Sequence, residues 1–239
     1  MTRATLAGAA AGIGDGPGPP EPGGVPALLT RGGERRGGVP QRGDLDRESE
    51  QLLLHVVRAV ADATHAGDPY MSGHSSRVAA HCEQIADSLG LGERDRLLLA
   101  LAAAFHDVGY LSTPTYILRK PSVLAEDEME EVRVHPVRGA ALFAGDPILA
   151  EVARAIRHHH ERFDGSGYPD GLRAEAIPLF SRIILVAETY DAMTHHRPYR
   201  RALPPEEALR RMQESAGSQL DPELVKHFLA IVGAEAVGR

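Results

Sequence analysis

The dipeptide His106-Asp107 follows directly on the apolar run of residues 97–105 and is the first candidate for chemistry in this sequence. A run that is apolar on every side predicts a helix buried on all faces. An imidazole and a carboxylate at the end of such a helix lose hydration, which is costly unless they pair with each other or bind a metal ion. The dipeptide therefore predicts either a capped helix end with a satisfied His–Asp pair or part of a metal site.

Further imidazoles and carboxylates stand at the ends or on one face of other predicted helices. They are His74, His135, the run His158-His159-His160-Glu161, and the pair Glu188 and Asp191. Glu188 and Asp191 are three residues apart and so share a helix face, in an apolar setting that requires cations nearby. Because no cysteine belongs to the set, it suits iron, manganese or zinc rather than a structural zinc finger.

The order of these residues along the chain resembles the HD-GYP domain family. The matching motifs are His74-x-x-Arg77, His106-Asp107-x-Gly109, His135-Pro136-x-x-Gly139, His159-His160-Glu161-x-x-Asp164-Gly165-x-Gly167-Tyr168-Pro169, Ile177-Pro178, Arg182-Ile183 and Arg197-Pro198-Tyr199-Arg200. The resemblance covers residues 70–230. It implies an all-helical, metal-dependent phosphodiesterase that hydrolyses the bacterial signalling molecule cyclic di-GMP to linear pGpG, to GMP, or to both.

The resemblance also implies a ligand set for two divalent metal ions. The ligands would be His74, His106, Asp107, His135, His159, His160 and Glu188, with Glu188 in a place that the family usually fills with Asp. Asp107 is expected to bridge the two metals, and a hydroxide between them would attack the phosphate. Iron or manganese is favoured, with zinc as the alternative. Relatives with a third metal have Glu where this chain has Tyr70, so two metals are expected.

Catalytic and substrate-binding roles are carried over in the same way. The expected catalytic residues are Asp107, Tyr110 and Asp191, and the expected substrate-binding residues are Arg77, Tyr168, Arg197 and Arg200. The family usually has lysine in place of Tyr110, near the substrate phosphate, so we expect slow turnover that Tyr110→Lys would raise. The loop Gly167-Tyr168-Pro169 is expected beside the active site, where partner proteins of the diguanylate cyclase type would contact it.

Two alternatives to the phosphodiesterase stay open on the sequence alone. The tyrosine at position 110 favours a module that binds a cyclic dinucleotide or a partner protein with little or no turnover. The other alternative is a phosphohydrolase of the wider HD class that acts on a different nucleotide. The retained histidines and aspartate favour the phosphodiesterase.

The elements that position these residues are predicted to be helices throughout, because no segment alternates polar and apolar residues with period two. Helices are predicted over residues 46–66, 72–89, 93–107, 126–135, 205–215 and 222–232, with two more starting near Pro147 and Pro178. Ser72 is the expected N-cap of the second helix. With the resemblance, this pattern predicts an all-α fold, an HD-type helical bundle over residues 45–236.

Residues 1–44 differ from the rest of the chain in composition. They hold 12 of the 25 glycines and 6 of the 17 prolines, and no aromatic residue. Such a segment buries too little apolar surface to offset the loss of chain entropy on folding. A disordered N-terminal tail is therefore predicted.

The charge, cysteine content and hydropathy of the sequence limit which binding partners and which cell compartment are expected. A net charge of -7 argues against binding a nucleic-acid polymer, although a local basic patch could still hold a phosphate. The single cysteine, Cys82, excludes an intramolecular disulfide and suits the cytoplasm. No apolar run approaches the roughly 18 residues of a membrane span, so no membrane partner is expected.

Overall fold

The structure is a computed structural model, and its regular elements are all helices in the residues that it describes. The described residues are 52, 55–57, 59–62, 73–120, 122–196 and 201–237. The predicted tail over residues 1–44, the cap residue Ser72, and part of the predicted helix over residues 46–66 lie outside them.

Nine α-helices run through the described residues from position 73 onward. They are α1 (His74–Ser88), α2 (Glu93–Phe105), α3 (Thr115–Leu118), α4 (Glu126–Arg133), α5 (His135–Ala141), α6 (Ala150–Arg157), α7 (Leu179–Thr194), α8 (Pro205–Ser215) and α9 (Pro222–Val237). Short 3₁₀ turns cover Val108–Ser112, Pro147–Leu149 and Ala174–Ala176, and residues 52, 55–57 and 59–62 are helical too. No strand occurs within the described ranges, which confirms the predicted all-α fold.

The helices α1, α2, α6 and α7 surround one apolar core. Helix α1 packs against α2, α7 and α9, while α6 packs against α2, α5 and α7. The core side chains that are wholly buried include Val78, Cys82, Ile85, Val152, Ile156, Ile183, Ile184 and Phe228. This packing stabilises the helices mainly by burying their apolar faces, and it fixes the ends of α2 and α6 relative to α1 and α7.

Helix α2 is the apolar run that precedes His106. Five of its residues are buried and the other residues of positions 97–105 are half-buried, so the run is covered unequally rather than buried on all faces. Part of the cover comes from Val57 and Ala61, which cluster with Ala104. The helix ends at Phe105, two residues earlier than predicted, and His106 is its C-cap.

Several predicted boundaries need correction. Helix α1 begins at His74 with Gly73 as its N-cap, in the left-handed conformation at φ 69°, so Ser72 is not the N-cap residue. The predicted helix over residues 126–135 is two helices, because α4 ends at Arg133 and α5 begins at His135. The run His158–Glu161 follows α6 rather than ending it, and α9 continues past residue 232 to Val237.

Gly109 allows two elements to come unusually close. A Cβ atom at this position would lie 2.0 Å from the carbonyl oxygen of His135 and 2.8 Å from the amide nitrogen of Gly139. The 3₁₀ turn that follows Asp107 therefore packs directly on the backbone of α5. Glycine is required here because any side chain would push Asp107 and His135 apart.

Candidate metal centre

Three histidines are oriented by the same backbone device. The Nδ1 atoms of His106, His135 and His159 lie 2.7 Å, 2.8 Å and 2.7 Å from the carbonyl oxygens of the residues three positions earlier, at the ends of α2, α4 and α6. A carbonyl oxygen only accepts, so Nδ1 must carry the ring hydrogen. When such a ring is neutral, its Nε2 lone pair is available to a metal ion.

His74 is oriented by a side chain instead. Its Nδ1 donates to Oδ2 of Asp191 at 2.7 Å, and both residues are buried. Asp191 also accepts from Nε of Arg77 at 2.6 Å. Asp191, which was predicted to be catalytic, thus lies behind His74, and Arg77, which was predicted to bind substrate, lies against Asp191.

Asp107 lies between two sets of imidazoles, with one carboxylate oxygen toward each. Its Oδ1 is 3.3 Å from Nε2 of His135 and 3.8 Å from Nε2 of His159. Its Oδ2 is 3.3 Å from Nε2 of His106 and 3.7 Å from Nε2 of His74. A carboxylate with this arrangement can offer one oxygen to each of two cations.

The ligand atoms form two groups that share Asp107. We call Asp107, His135, His159 and His160 the four-residue group, and His74, His106 and Asp107 the three-residue group. Within each group, one ligand atom from every member lies within 4.8 Å of the others. Six of the seven predicted metal ligands are therefore brought together, while Glu188 belongs to neither group.

Unpartnered polar atoms in this cluster fit bound cations. Among the described residues, Nε2 of His74 and of His106, Oδ1 of Asp107 and Oε2 of Glu188 are buried without a hydrogen-bond partner. The Nε2 atoms of His135 and His159 lie 3.2 Å apart. Buried acceptors that face one another are costly unless a proton or metal ion lies between them, so the donor set fits a metal centre.

The charges of the cluster also favour cations. Burial would raise the pKa of Asp107, but the His106 and His135 imidazoles hold it well below its ordinary value, so this carboxylate is ionised. Burial would lower the pKa of His106, yet the charge and hydrogen bond of Asp107 and the charge of Glu188 raise it to about 9, so a metal ion bound at Nε2 would displace a proton from this ring. Burial, reinforced by the neighbouring imidazoles, lowers the pKa of His159, which keeps its ring neutral and able to bind a metal.

Two tyrosine rings cover imidazoles of the four-residue group. Tyr110 stacks on His135, with ring centroids 4.0 Å apart and the planes at 22°. Tyr168 stacks on His160, with centroids 5.0 Å apart and the planes at 28°. Burial, with the charges of Glu188 and Asp107, raises the pKa of Tyr168, so its hydroxyl stays protonated.

The loop that follows His160 is tied down by Glu161, a buried carboxylate. Its two oxygens accept from the backbone amides of Asp170, at 2.7 Å, and Leu172, at 3.1 Å. The backbone is also close-packed at Gly167, where a Cβ atom would lie 2.2 Å from the amide nitrogen of Arg162. The Gly167-Tyr168-Pro169 segment is thereby held beside His160, and the peptide bond between Tyr168 and Pro169 is cis.

A cavity of about 520 Å³ adjoins this loop. His160 and Tyr168 line it on the metal-centre side, together with Arg133, Arg162 and Gln219 among others. The two arginines and the glutamine are not among the residues predicted from the sequence. A signal was present for the arginines, since each stands two residues from a predicted metal ligand.

Other predicted residues fall elsewhere. Arg197 and Arg200, the predicted phosphate-binding arginines, and Tyr70, in the third-metal position, lie outside the described residues. His158 lies apart from both groups and bonds through Nε2 to Asp170 at 2.9 Å.

A family model of the HD domain matches residues 58–224. These residues include every described member of the two ligand groups. The chain belongs to the HD domain family.

Curated relatives of this HD domain protein include two phosphodiesterases. It is 38% identical over 174 residues to 3'3'-cGAMP-specific phosphodiesterase 3 of Vibrio cholerae, a match that covers 73% of this chain and 38% of the relative. It is 35% identical over 186 residues to a cyclic di-GMP phosphodiesterase of Thermotoga maritima, covering 77% of this chain and 50% of the relative. The chain thus spans half or less of the length of these relatives.

A solved structure shares the fold. An HDG"Y"P protein from Bdellovibrio bacteriovorus superposes with a TM-score of 0.57 at 20% identity, covering 78% of this chain and 64% of that one. With the family match and the named relatives, it confirms the predicted resemblance to HD-GYP domains. Among the described residues, no helix is long and apolar enough to cross a membrane.

Proposed function

We propose that this HD domain protein is a metal-dependent phosphodiesterase that hydrolyses cyclic di-GMP to linear pGpG, to GMP, or to both. The observation that carries the proposal is the position of Asp107, which has one oxygen toward each of two histidine sets. The relatives named as cyclic dinucleotide phosphodiesterases support the choice of substrate.

Two divalent metal ions are proposed, one in each ligand group. The four-residue group would hold the first and the three-residue group the second, with Glu188 adding its unpartnered oxygen. Iron or manganese is favoured over zinc because the donors are imidazoles and carboxylates without a cysteine. Bound metal ions would activate water and neutralise charge on the phosphate.

The remaining predicted residues receive roles from their contacts. Asp107 is ionised and belongs to both ligand groups, so it fixes the position of one group relative to the other. Asp191 acts through His74 as a positioning residue, and Arg77 in turn holds Asp191. Tyr168 contacts substrate from its place between His160 and the cavity, while roles for Arg197 and Arg200 in binding phosphate stay predictions.

Tyr110 favours a second candidate function, a module that binds a cyclic dinucleotide with little or no turnover. Its ring stacks on His135, so no ammonium group stands where the family usually has lysine. Contact of the Gly167-Tyr168-Pro169 loop with diguanylate cyclase-type proteins and location in the cytoplasm also stay predictions.

The test is metal analysis followed by a turnover assay. The purified protein is reconstituted with manganese or iron, its metal content is measured, and cyclic di-GMP and 3'3'-cGAMP are followed by chromatography. We expect about two metals per chain and slow formation of pGpG or GMP. Two bound metals without turnover of either substrate would favour the binding module, and failure to bind any transition metal would overturn both functions.

A further inference from the structure

We propose that the cavity beside His160 is a second anion site, in which Arg133 and Arg162 hold the phosphate of a cyclic dinucleotide that is not being cleaved. This inference rests on the proposed function, since it assigns one of the two substrate phosphates to the metal centre and the other to this cavity.

The cavity has the size and the charge for that ligand. Its volume of about 520 Å³ lies in the range of small-molecule sites. Two guanidinium groups line it, and its lining within the described residues contains no aspartate or glutamate. The carboxylate of Asp164 does contact this lining, since it accepts from Ser166 and lies 3.7 Å from Nε of Arg162. In a protein of net charge -7, a surface lined by two arginines favours an anion.

Each arginine has one carboxylate near it, and both of these ion pairs are part-exposed. Nη1 of Arg133 lies 3.4 Å from Glu126, but these side chains are 49% and 79% exposed, so water weakens the pair. Nε of Arg162 donates to Oγ of Ser166 at 2.8 Å and lies 3.7 Å from Oδ1 of Asp164, whose side chain is 33% exposed. That bond leaves its terminal amino groups available for the two-pronged contact that arginine makes with phosphate.

The positions of the arginines along the chain link the cavity to the metal centre. Arg133 is the last residue of α4, two residues before His135, and Arg162 stands two residues after His160. Both imidazoles belong to the four-residue group. The cavity therefore adjoins the four-residue group through His160, as a site that orients a two-phosphate substrate must do.

The walls of the cavity suit a nucleotide rather than a bare phosphate ion. The Tyr168 ring lies on the His160 side and Leu185 adds an apolar surface, so a base has a flat and an apolar face to contact. Gln219 provides an amide that can donate and accept hydrogen bonds. The site thus fits a phosphate that carries a nucleoside.

The experiment compares a two-phosphate ligand with a one-phosphate substrate. Metal-loaded wild type, Arg133→Gln and Arg162→Gln are titrated by calorimetry with a slowly hydrolysed phosphorothioate analogue of cyclic di-GMP. The same proteins are assayed for hydrolysis of bis(p-nitrophenyl) phosphate, which has a single phosphate. We expect Kd for the analogue to rise about tenfold in each variant, as for one lost charge-assisted hydrogen bond, with hydrolysis of the small diester changed less than about twofold.

Controls separate charge from structure. Arg94→Gln removes the same charge from the far end of α2, about 18 Å from His106 along the helix, and should leave both measurements unchanged. Ser166→Ala removes the bond that fixes Arg162 but keeps its charge, and should raise Kd by less than Arg162→Gln does. Arg133→Lys should recover part of the binding that Arg133→Gln loses.

The outcomes distinguish this inference from the proposed function. Wild-type affinity in both glutamine variants would overturn the second anion site while leaving the phosphodiesterase intact. A parallel loss of small-diester hydrolysis would also overturn it, because the arginines would then act on the metal centre. If wild type binds the analogue with arginine dependence but does not hydrolyse cyclic di-GMP, the anion site stands and the phosphodiesterase fails.

Discussion

The two ligand groups share Asp107, yet the protein orients their other histidines in different ways. In the four-residue group, His135 and His159 are both held by backbone carbonyls at helix ends. In the three-residue group, His106 is held in that way, but His74 depends on the carboxylate of Asp191, which is 117 residues away in the sequence.

This difference shows which group of ligands can be weakened by substituting residues that do not bind metal. A backbone carbonyl persists whatever side chain the residue carries, so the His135 and His159 contacts are protected from substitution at the accepting residue. The orientation of His74 depends instead on one carboxylate and on the arginine beside it. The three-residue group should therefore be the more easily weakened by residues that bind no metal.

The largest effect is expected where the groups meet. Asp107→Asn removes the charge that faces both groups, so both metals should be lost and turnover should fall below detection. Metal content by mass spectrometry and a cyclic di-GMP assay measure the two effects. Retention of two metals at normal rates would show that Asp107 is not shared between them.

Single histidine substitutions should separate the groups. His159→Ala should empty the four-residue group and His74→Ala the three-residue group, each leaving about one metal per chain. Metal content per chain, measured after reconstitution at equal metal concentration, tests this. If each variant loses both metals, the two groups act as one site and the comparison fails.

Asp191→Asn should weaken the three-residue group alone. Loss of the carboxylate behind His74 is expected to reduce affinity for that metal by about 10- to 100-fold, with the other metal retained. The matched control is Asp221→Asn, since Asp221 is also buried and paired with an arginine, Arg182, but contacts no histidine. The control should lower the melting temperature without changing metal content; equal metal loss in both variants would contradict the role of Asp191.

The smallest effect is expected at the ring that covers His135. Tyr110→Ala removes the stacking contact and should lower metal retention in the four-residue group by about two- to tenfold, whereas Tyr110→Phe should retain it. Tyr110→Lys should raise turnover of cyclic di-GMP by supplying a cation, at the same small cost in metal retention. Chelator competition and turnover rates distinguish these effects, and weaker metal retention in Tyr110→Phe would point to the hydroxyl rather than the stacking.

The helices and most of the clustered residues could be predicted from the sequence, for a clear physical reason. Ionisable groups next to apolar helices are unusual, so His106-Asp107 and His159-His160 stood out. The orientation of each ring could not be predicted, because it depends on where a helix ends. One continuous helix is predicted over residues 126–135, whereas the folded chain has a break at Val134. The hydrogen bond from His135 to the carbonyl oxygen of Val132, next to this break, could not be predicted for that reason.

Long-range contacts account for the rest of what the sequence left open. Glu188 and Asp191 are predicted to share a helix face that requires cations nearby, because they are three residues apart. Their partners could not be predicted, since Asp191 binds His74 and Arg77 while an oxygen of Glu188 stays unpartnered. The cavity beside His160 is lined by residues as far apart in the sequence as Arg133 and Gln219. Local residue spacing cannot predict that such residues lie close together in the folded chain.

The bonds made by Glu161 have a consequence for protein engineering. Glu161 stands at the start of the loop, and its carboxylate accepts from the backbone amides of Asp170 and Leu172 at the end of the loop. The segment over residues 162–169 is therefore anchored at both ends. An exchange of this segment that keeps Gly167 and Tyr168, which pack against Arg162 and His160, should leave His159 and His160 in place. Loop exchange is therefore a practical route to altering nucleotide preference while the metal chemistry stays constant.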